Sequence, residues 1–153
     1  MKQEISVEER LKGTPRPHYL VGNAVYEHLD SQHHLLSKVN FKSEGHPSIQ
    51  DRAEKYVSSP HVNAGDCCFA LWNAAHIMSE LAGYKDRIIR KQIIITPKKI
   101  IPPDTDLDLE VRIMEEKDVT KNQEIIGIGT IKGIFYHKGT ELLNISAGYC
   151  AKK

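Results

Sequence analysis

The chain has 153 residues, 40% of them hydrophobic and 27% charged, and a formal net charge of +1. That length suits one domain able to bury a sizeable core without disulfides or a structural metal. The near-neutral balance lacks the Lys/Arg excess that phosphate backbones require, which argues against a nucleic-acid partner. The longest apolar run, Cys67–Trp72, is far too short for a membrane span, and the polar, acidic start Met1–Arg10 does not read as a signal peptide.

Residues 1–16 read as an N-terminal arm with a helical turn over Ser6–Leu11, stopped by Pro15 and Pro17. Residues 17–153 read as a single domain. Asn23–Leu29 and His34–Phe41 are strand candidates joined by a polar turn at Asp30-Ser31-Gln32. A loop covers Phe41–Arg52, and a short extended segment runs from Tyr56 to His61. The single long helix is predicted over Ala64–Ala82, with Asn63 as N-cap, Asp66 complementing the dipole and Gly83 just past the end. Apolar residues cover most of its circumference, so it should be buried on most sides, with Asp66, Asn73, Ser79 and Glu80 near one polar stripe and His76 beside it.

The second half reads as strands. Arg87–Thr96 is β-branched and bounded by Pro97. Pro102-Pro103-Asp104 turns the chain, and Asp106–Met114 alternates apolar and polar residues. A polar turn over Asp118–Asn122 leads to Glu124–His137, then Lys138-Gly139 closes a hairpin to Glu141–Cys150. Gly127, Gly129 and Gly133 share one strand face, which points to close approach by the helix. Two strands, a helix and four antiparallel strands give an α+β class. A curved antiparallel sheet wrapped around one long central helix is the hot-dog fold, and the segment Gln92–Ile113 resembles the strands that follow the helix in that superfamily.

The candidate chemistry lies at the helix entrance, where unpaired N–H groups and the positive dipole end suit a carbonyl oxygen becoming an oxyanion. The approach Tyr56-Val57-Ser58-Ser59-Pro60-His61-Val62-Asn63-Ala64 resembles the Tyr…His-x-Asn-Ala pattern of the FcoT-like family, the type III fatty-acyl-CoA thioesterases, with one residue fewer between tyrosine and histidine. Tyr19 and Tyr26 repeat that family's seven-residue tyrosine spacing, and Asn40-Phe41 matches the close of its second strand.

The resemblance implies an acyl-thioester enzyme without a cofactor, acting on fatty acyl-CoA or acyl carrier protein thioesters as a cytoplasmic homodimer or higher even-numbered oligomer. It implies catalytic roles for Tyr19, Tyr56, His61 and Asn63, with Ala64, Gly65 and Asp66 binding substrate. It covers two chemistries: thioester hydrolysis, and conjugate addition of glycine to a (2E)-enoyl-acyl carrier protein. A non-catalytic acyl-binding dimer is the rival of another class.

Each residue also has a plain structural use: Asn63 as a helix cap, Asp66 as a dipole partner, the tyrosines as core-edge packing and His61 as a turn residue. A hydroxyacyl dehydratase is disfavoured because His-Val-Asn-Ala-Gly replaces the His-Phe-Pro turn of that branch. Cys67, Cys68 and Cys150 show neither CxxC nor zinc spacing and read as reduced thiols, and the histidines lack metal-ligand spacing. Lys85, Arg87, Arg90, Lys91, Lys98 and Lys99 form a local basic group that a phosphate-bearing carrier would use.

Overall fold

The computed structural model describes residues 2–44 and 62–153, with the side chains of residues 87–91 outside the description. Its strands are β1 (Lys2–Ser6), β2 (Leu20–Leu29), β3 (Gln32–Val39), β4 (Asp86–Pro97), β5 (Leu107–Lys121), β6 (Glu124–His137) and β7 (Thr140–Lys152). The helices are α1 (Val7–Leu11) and α2 (Ala64–Leu81). The seven strands form one antiparallel sheet in the order β1-β2-β3-β5-β6-β7-β4, with α2 against its inner face. This is the hot-dog arrangement.

Period-two alternation sets the inner face. Leu107, Leu109, Val111 and Ile113 of β5 are buried and register against β3, where Leu35 and Val39 are buried as well. Ile131 and Phe135 of β6 and Ile145 of β7 continue the layer. From α2, Ala70, Leu71, Ala74, Ile77 and Met78 close the core.

The stretch expected as an arm is part of the sheet. β1 pairs with β2 along Lys2↔Glu27 to Ser6↔Asn23, and Ile5, Val7 and Leu11 are core residues. The helical turn over Ser6–Leu11 corresponds to α1. The expected Asp118–Asn122 turn is shorter. β5 runs to Lys121, and only Asn122 and Gln123, both at positive φ, make the reversal. The extended Tyr56–His61 segment lies outside the described residues.

The glycine face of β6 serves three different neighbours. A Cβ on Gly133 would lie 2.8 Å from Leu71 Cδ1, so there α2 itself fills the space. At Gly129 it would lie 1.9 Å from the Met114 carbonyl oxygen, beside the β-bulge between Glu115 and Lys117. At Gly127 it would meet the Lys153 side chain.

The helix is buried on most sides as expected, but part of its polar stripe lies inward. Asp66, Asn73 and Ser79 are buried, whereas Phe69 and Trp72 are about half exposed. The polar residues face inward because each finds a hydrogen-bond partner on the sheet side, which removes the cost of burying it. Phe69, Trp72, Asn73 and His76 line a cavity of about 390 Å³ beside Leu11 and Arg16.

Candidate active site at the start of the central helix

Asn63 caps α2 from an extended backbone conformation (φ −86°, ψ 166°). Its Oδ1 accepts from the Asp66 N–H at 2.9 Å, and Asp66 Oδ2 accepts from the Asn63 N–H at 3.3 Å, a reciprocal capping box. Only the amide oxygen can accept from an N–H, so the cap fixes the amide and turns Nδ2 away from the helix. The Ala64 and Gly65 N–H groups have no hydrogen-bond partner among the described residues. Asn63 and Gly65 are exposed. Glycine suits position 65 because a Cβ there would sit 3.2 Å from Asn63 Oδ1.

A cavity of about 460 Å³ opens at this point, lined by Val62, Asn63 and Ala64 on one side and by Lys98, Lys99 and Ile101 on the other. The two sides are tied by the Val62 N–H, which donates to the Ile101 carbonyl at 3.0 Å. Lys98 pairs with Glu141, while Lys99 is exposed on the rim. Of the remaining basic group, the side chains of Arg87, Arg90 and Lys91 lie outside the described residues.

Tyr19 reaches this end of α2 from the segment before β2. Its phenol donates to Asp66 Oδ1 at 2.9 Å, and its ring packs on Phe41 with centroids 4.8 Å apart. Its N–H donates to Asn73 Oδ1 at 3.1 Å. The structure thus brings together Tyr19, Asn63, Ala64, Gly65 and Asp66. Tyr56 and His61 lie outside the described residues. Asp66 touches the cap and Tyr19, with both carboxylate oxygens engaged. Tyr26, seven residues after Tyr19, joins a different cluster. Cys67 and Cys150 are buried and all three thiols are free; burial, with Asp66 close by, pushes the Cys67 thiol well above its ordinary range.

That second cluster sits at the other end of α2. His33 is 2% exposed; its Nδ1 accepts from the Tyr26 phenol at 2.8 Å, and its Nε2 meets Glu115 Oε1 at 2.9 Å. The Tyr84 phenol donates to Glu115 Oε1, and Lys153 Nζ lies 2.9 Å from Glu115 Oε2. His28 stacks on His33 at 3.9 Å, and Ser79 bonds the Tyr149 phenol at 2.6 Å. Burial holds the His33 ring below its usual titration range, against the opposing pull of the Glu115 hydrogen bond. A neutral ring satisfies both contacts, Nε2–H donating to Glu115 and Nδ1 accepting from Tyr26. The sequence holds one signal for this cluster: alternation puts His33 on the same inward face as Leu35 and Val39.

No family model and no curated protein matches the chain. Solved structures do match. An HP0420-homologue from Helicobacter felis aligns over 95% of this chain and 88% of its own, with 13% identity and a TM-score of 0.57. A dehydratase heterocomplex, ApeI:P from Xenorhabdus doucetiae, gives 97% and 91% coverage, 10% identity and a TM-score of 0.57. A probable thioesterase from Bartonella henselae gives 76% and 87%, 9% identity and a TM-score of 0.53. The chain spans 55% of the length of a further match, a thioesterase-superfamily protein. At these identities the likeness is one of fold. Among the described residues no helix is long and apolar enough to cross a membrane.

Proposed function

We propose that the chain processes fatty acyl thioesters at the N-terminal end of α2, and that its reaction is hydrolysis. One observation carries the reading. The Ala64 and Gly65 backbone N–H groups, without a partner among the described residues, stand with the Asn63 amide held by its own cap at a helix start where Asn63 and Ala64 line an open cavity. Donors fixed in this way stabilise charge developing on a carbonyl oxygen without reorganising during the reaction.

In this reading the thioester carbonyl oxygen takes hydrogen bonds from these donors. Water adds to the carbonyl carbon, the tetrahedral oxyanion collapses, the C–S bond breaks, and the thiolate leaves to take a proton. Asp66, braced by Tyr19 and the Asn63 N–H, draws the water proton. Tyr56 and His61 belong to the site on the strength of the sequence resemblance alone. The names of the structural neighbours, a probable thioesterase and a dehydratase among them, fit the substrate class.

Glycine addition to a (2E)-enoyl-acyl carrier protein is the second reading, favoured by the lysines at the cavity rim, which suit glycine's carboxylate. Carrier or coenzyme phosphates would use the same lysines. β4 is an edge strand with Ile93 and Ile94 about half exposed, which supports pairing with a second copy.

The test is thiol release from acyl-CoA and acyl carrier protein, followed by mass spectrometry of enoyl carrier protein with glycine. Thiol release supports hydrolysis. A glycine-sized mass gain without thiol release sinks it in favour of addition. Ligand binding with neither reaction leaves the acyl-binding module.

A further inference from the structure

Asn73 stands two helical turns beyond Asp66 on the same face of α2, roughly 10 Å along the axis, and is only 5% exposed. A buried amide needs partners. This one takes both on a single segment of another element. Oδ1 accepts from the Tyr19 N–H at 3.1 Å, and Nδ2 donates to the Pro17 carbonyl at 3.4 Å. The Tyr19 carbonyl in turn accepts from the Asn40 N–H at 3.0 Å. Tyr19 is therefore gripped twice by one helix, at its backbone by Asn73 and at its phenol by Asp66.

We propose that Asn73 is a positioning residue for the site at the start of α2, setting the Tyr19 backbone so that the phenol meets Asp66. The inference rests on the reading of Tyr19 and Asp66 as parts of that site. Asn73 itself touches no reacting atom. Its effect passes through Tyr19, because a small displacement of the backbone before β2 carries the phenol with it. An aliphatic side chain of similar size would fill the same volume and leave the Tyr19 N–H without its acceptor.

The experiment is a double-mutant cycle with thiol release as the assay, run well below the lowest melting transition. It uses Asn73→Leu, Asn73→Asp, Tyr19→Phe and the double variant Tyr19→Phe/Asn73→Leu. Asn73→Leu should lower kcat about 10-fold, the scale of a sub-ångström misplacement, with little change in KM. Asn73→Asp, whose oxygen accepts from the Tyr19 N–H in either protonation state but whose ionised form lacks the donor to the Pro17 carbonyl, should restore part of it. In the Tyr19→Phe background Asn73→Leu should add nothing. Equal losses from Asn73→Leu in both backgrounds would overturn the inference.

A full-activity Tyr19→Phe would instead remove Tyr19 from the site, and the inference with it. An activity-independent arm uses ring-labelled tyrosine. The Tyr19 ¹³Cζ resonance, identified by its loss in Tyr19→Phe, should move in Asn73→Leu and return part of the way in Asn73→Asp, and an unmoved resonance overturns the inference. If Asn73→Leu does not fold, Asn73→Ser carries both arms.

Discussion

The two ends of α2 both hold buried carboxylates and tyrosine phenols, yet they are built to opposite plans. At the C-terminal end Glu115 takes hydrogen bonds from Tyr84, Lys153 and His33, and His33 is capped on its other nitrogen by Tyr26. At the N-terminal end Asp66 is braced by Tyr19 and Asn63, but the Ala64 and Gly65 N–H groups beside it find no partner among the described residues, and Asn63 and Ala64 line a cavity. Residue type alone does not separate the two. A histidine bonded to a carboxylate is the familiar mark of catalysis, but here both ring nitrogens are already engaged within the protein, which closes this end even though His33 also lines a cavity of about 380 Å³. What distinguishes a site from a staple is which hydrogen-bonding capacity the fold leaves directed at open space.

Removing the hub of the closed end should have the largest effect. Glu115→Ala strips an acceptor from His33, Tyr84 and Lys153 in a side chain that is 7% exposed. It should destabilise the fold by about 3 kcal/mol, read by urea unfolding, while turnover per folded molecule stays as it was. Loss of turnover with stability intact would erase the distinction between the ends.

At the open end the effects reverse. Asn63→Ser keeps an oxygen to cap the Asp66 N–H, so stability should change by only a few tenths of a kcal/mol. It removes the Nδ2 donor, and turnover should fall about 100-fold. Unchanged turnover would make Asn63 a cap and nothing more.

The open end was more legible in sequence than the closed one, for a physical reason. Asn63 and Asp66 act across three residues of one helix entrance, so local chemistry reveals them. Likewise the strand Glu124–His137 is bounded by turns whose residues announce positive φ. The closed cluster joins His33 and Glu115 across 82 positions, together with Tyr84 and Lys153 from two further parts of the chain, and no local pattern links them. The inward turn of Asp66 and Asn73 was hidden for the same reason. Phe69 and Trp72 outrank Asp66 and Asn73 in hydrophobicity, but the polar pair holds partners 47 and 54 residues away on Tyr19. β1 was missed because Lys2–Ser6 carries one core side chain, Ile5, among polar neighbours.

The pH dependence of stability should report the closed end. His33 titrates at an ordinary 6.5 when unfolded and lower when folded, because burial disfavours its charged form. Its contribution is therefore complete above about pH 6.5 and is lost as the pH falls from there toward the folded value. Burial also opposes the Glu115 charge, but hydrogen bonds from Tyr84, Lys153 and His33 win and hold its carboxyl below the ordinary 4.5. Its share is present above 4.5 and is lost on further acidification. Burial, aided by neighbouring charge, raises the Tyr26 and Tyr84 phenols above the ordinary 10, so stability should fall again above pH 10. Unfolding curves across pH should lose the step that begins as the pH falls below 6.5 in His33→Gln. A step that survives belongs to another group.

The finest test of the comparison is Gly65→Ala. Gly65 does not occupy the left-handed region, so alanine fits the backbone, and a less flexible unfolded chain should add about 0.4–1 kcal/mol of stability. Against this, the new Cβ stands 3.2 Å from Asn63 Oδ1, a contact that asks the side chain to yield by a few tenths of an ångström. The two effects nearly cancel in the melting temperature, since the cap bond lengthens without breaking. They do not cancel in turnover, because the same shift tilts Nδ2 and the Ala64 and Gly65 N–H groups away from the position the oxyanion would take. Turnover should fall severalfold with stability almost unchanged, the reverse of the Glu115→Ala result. If turnover also holds, the donors at this end are not aimed finely enough to matter, and the open end of α2 is only an open end.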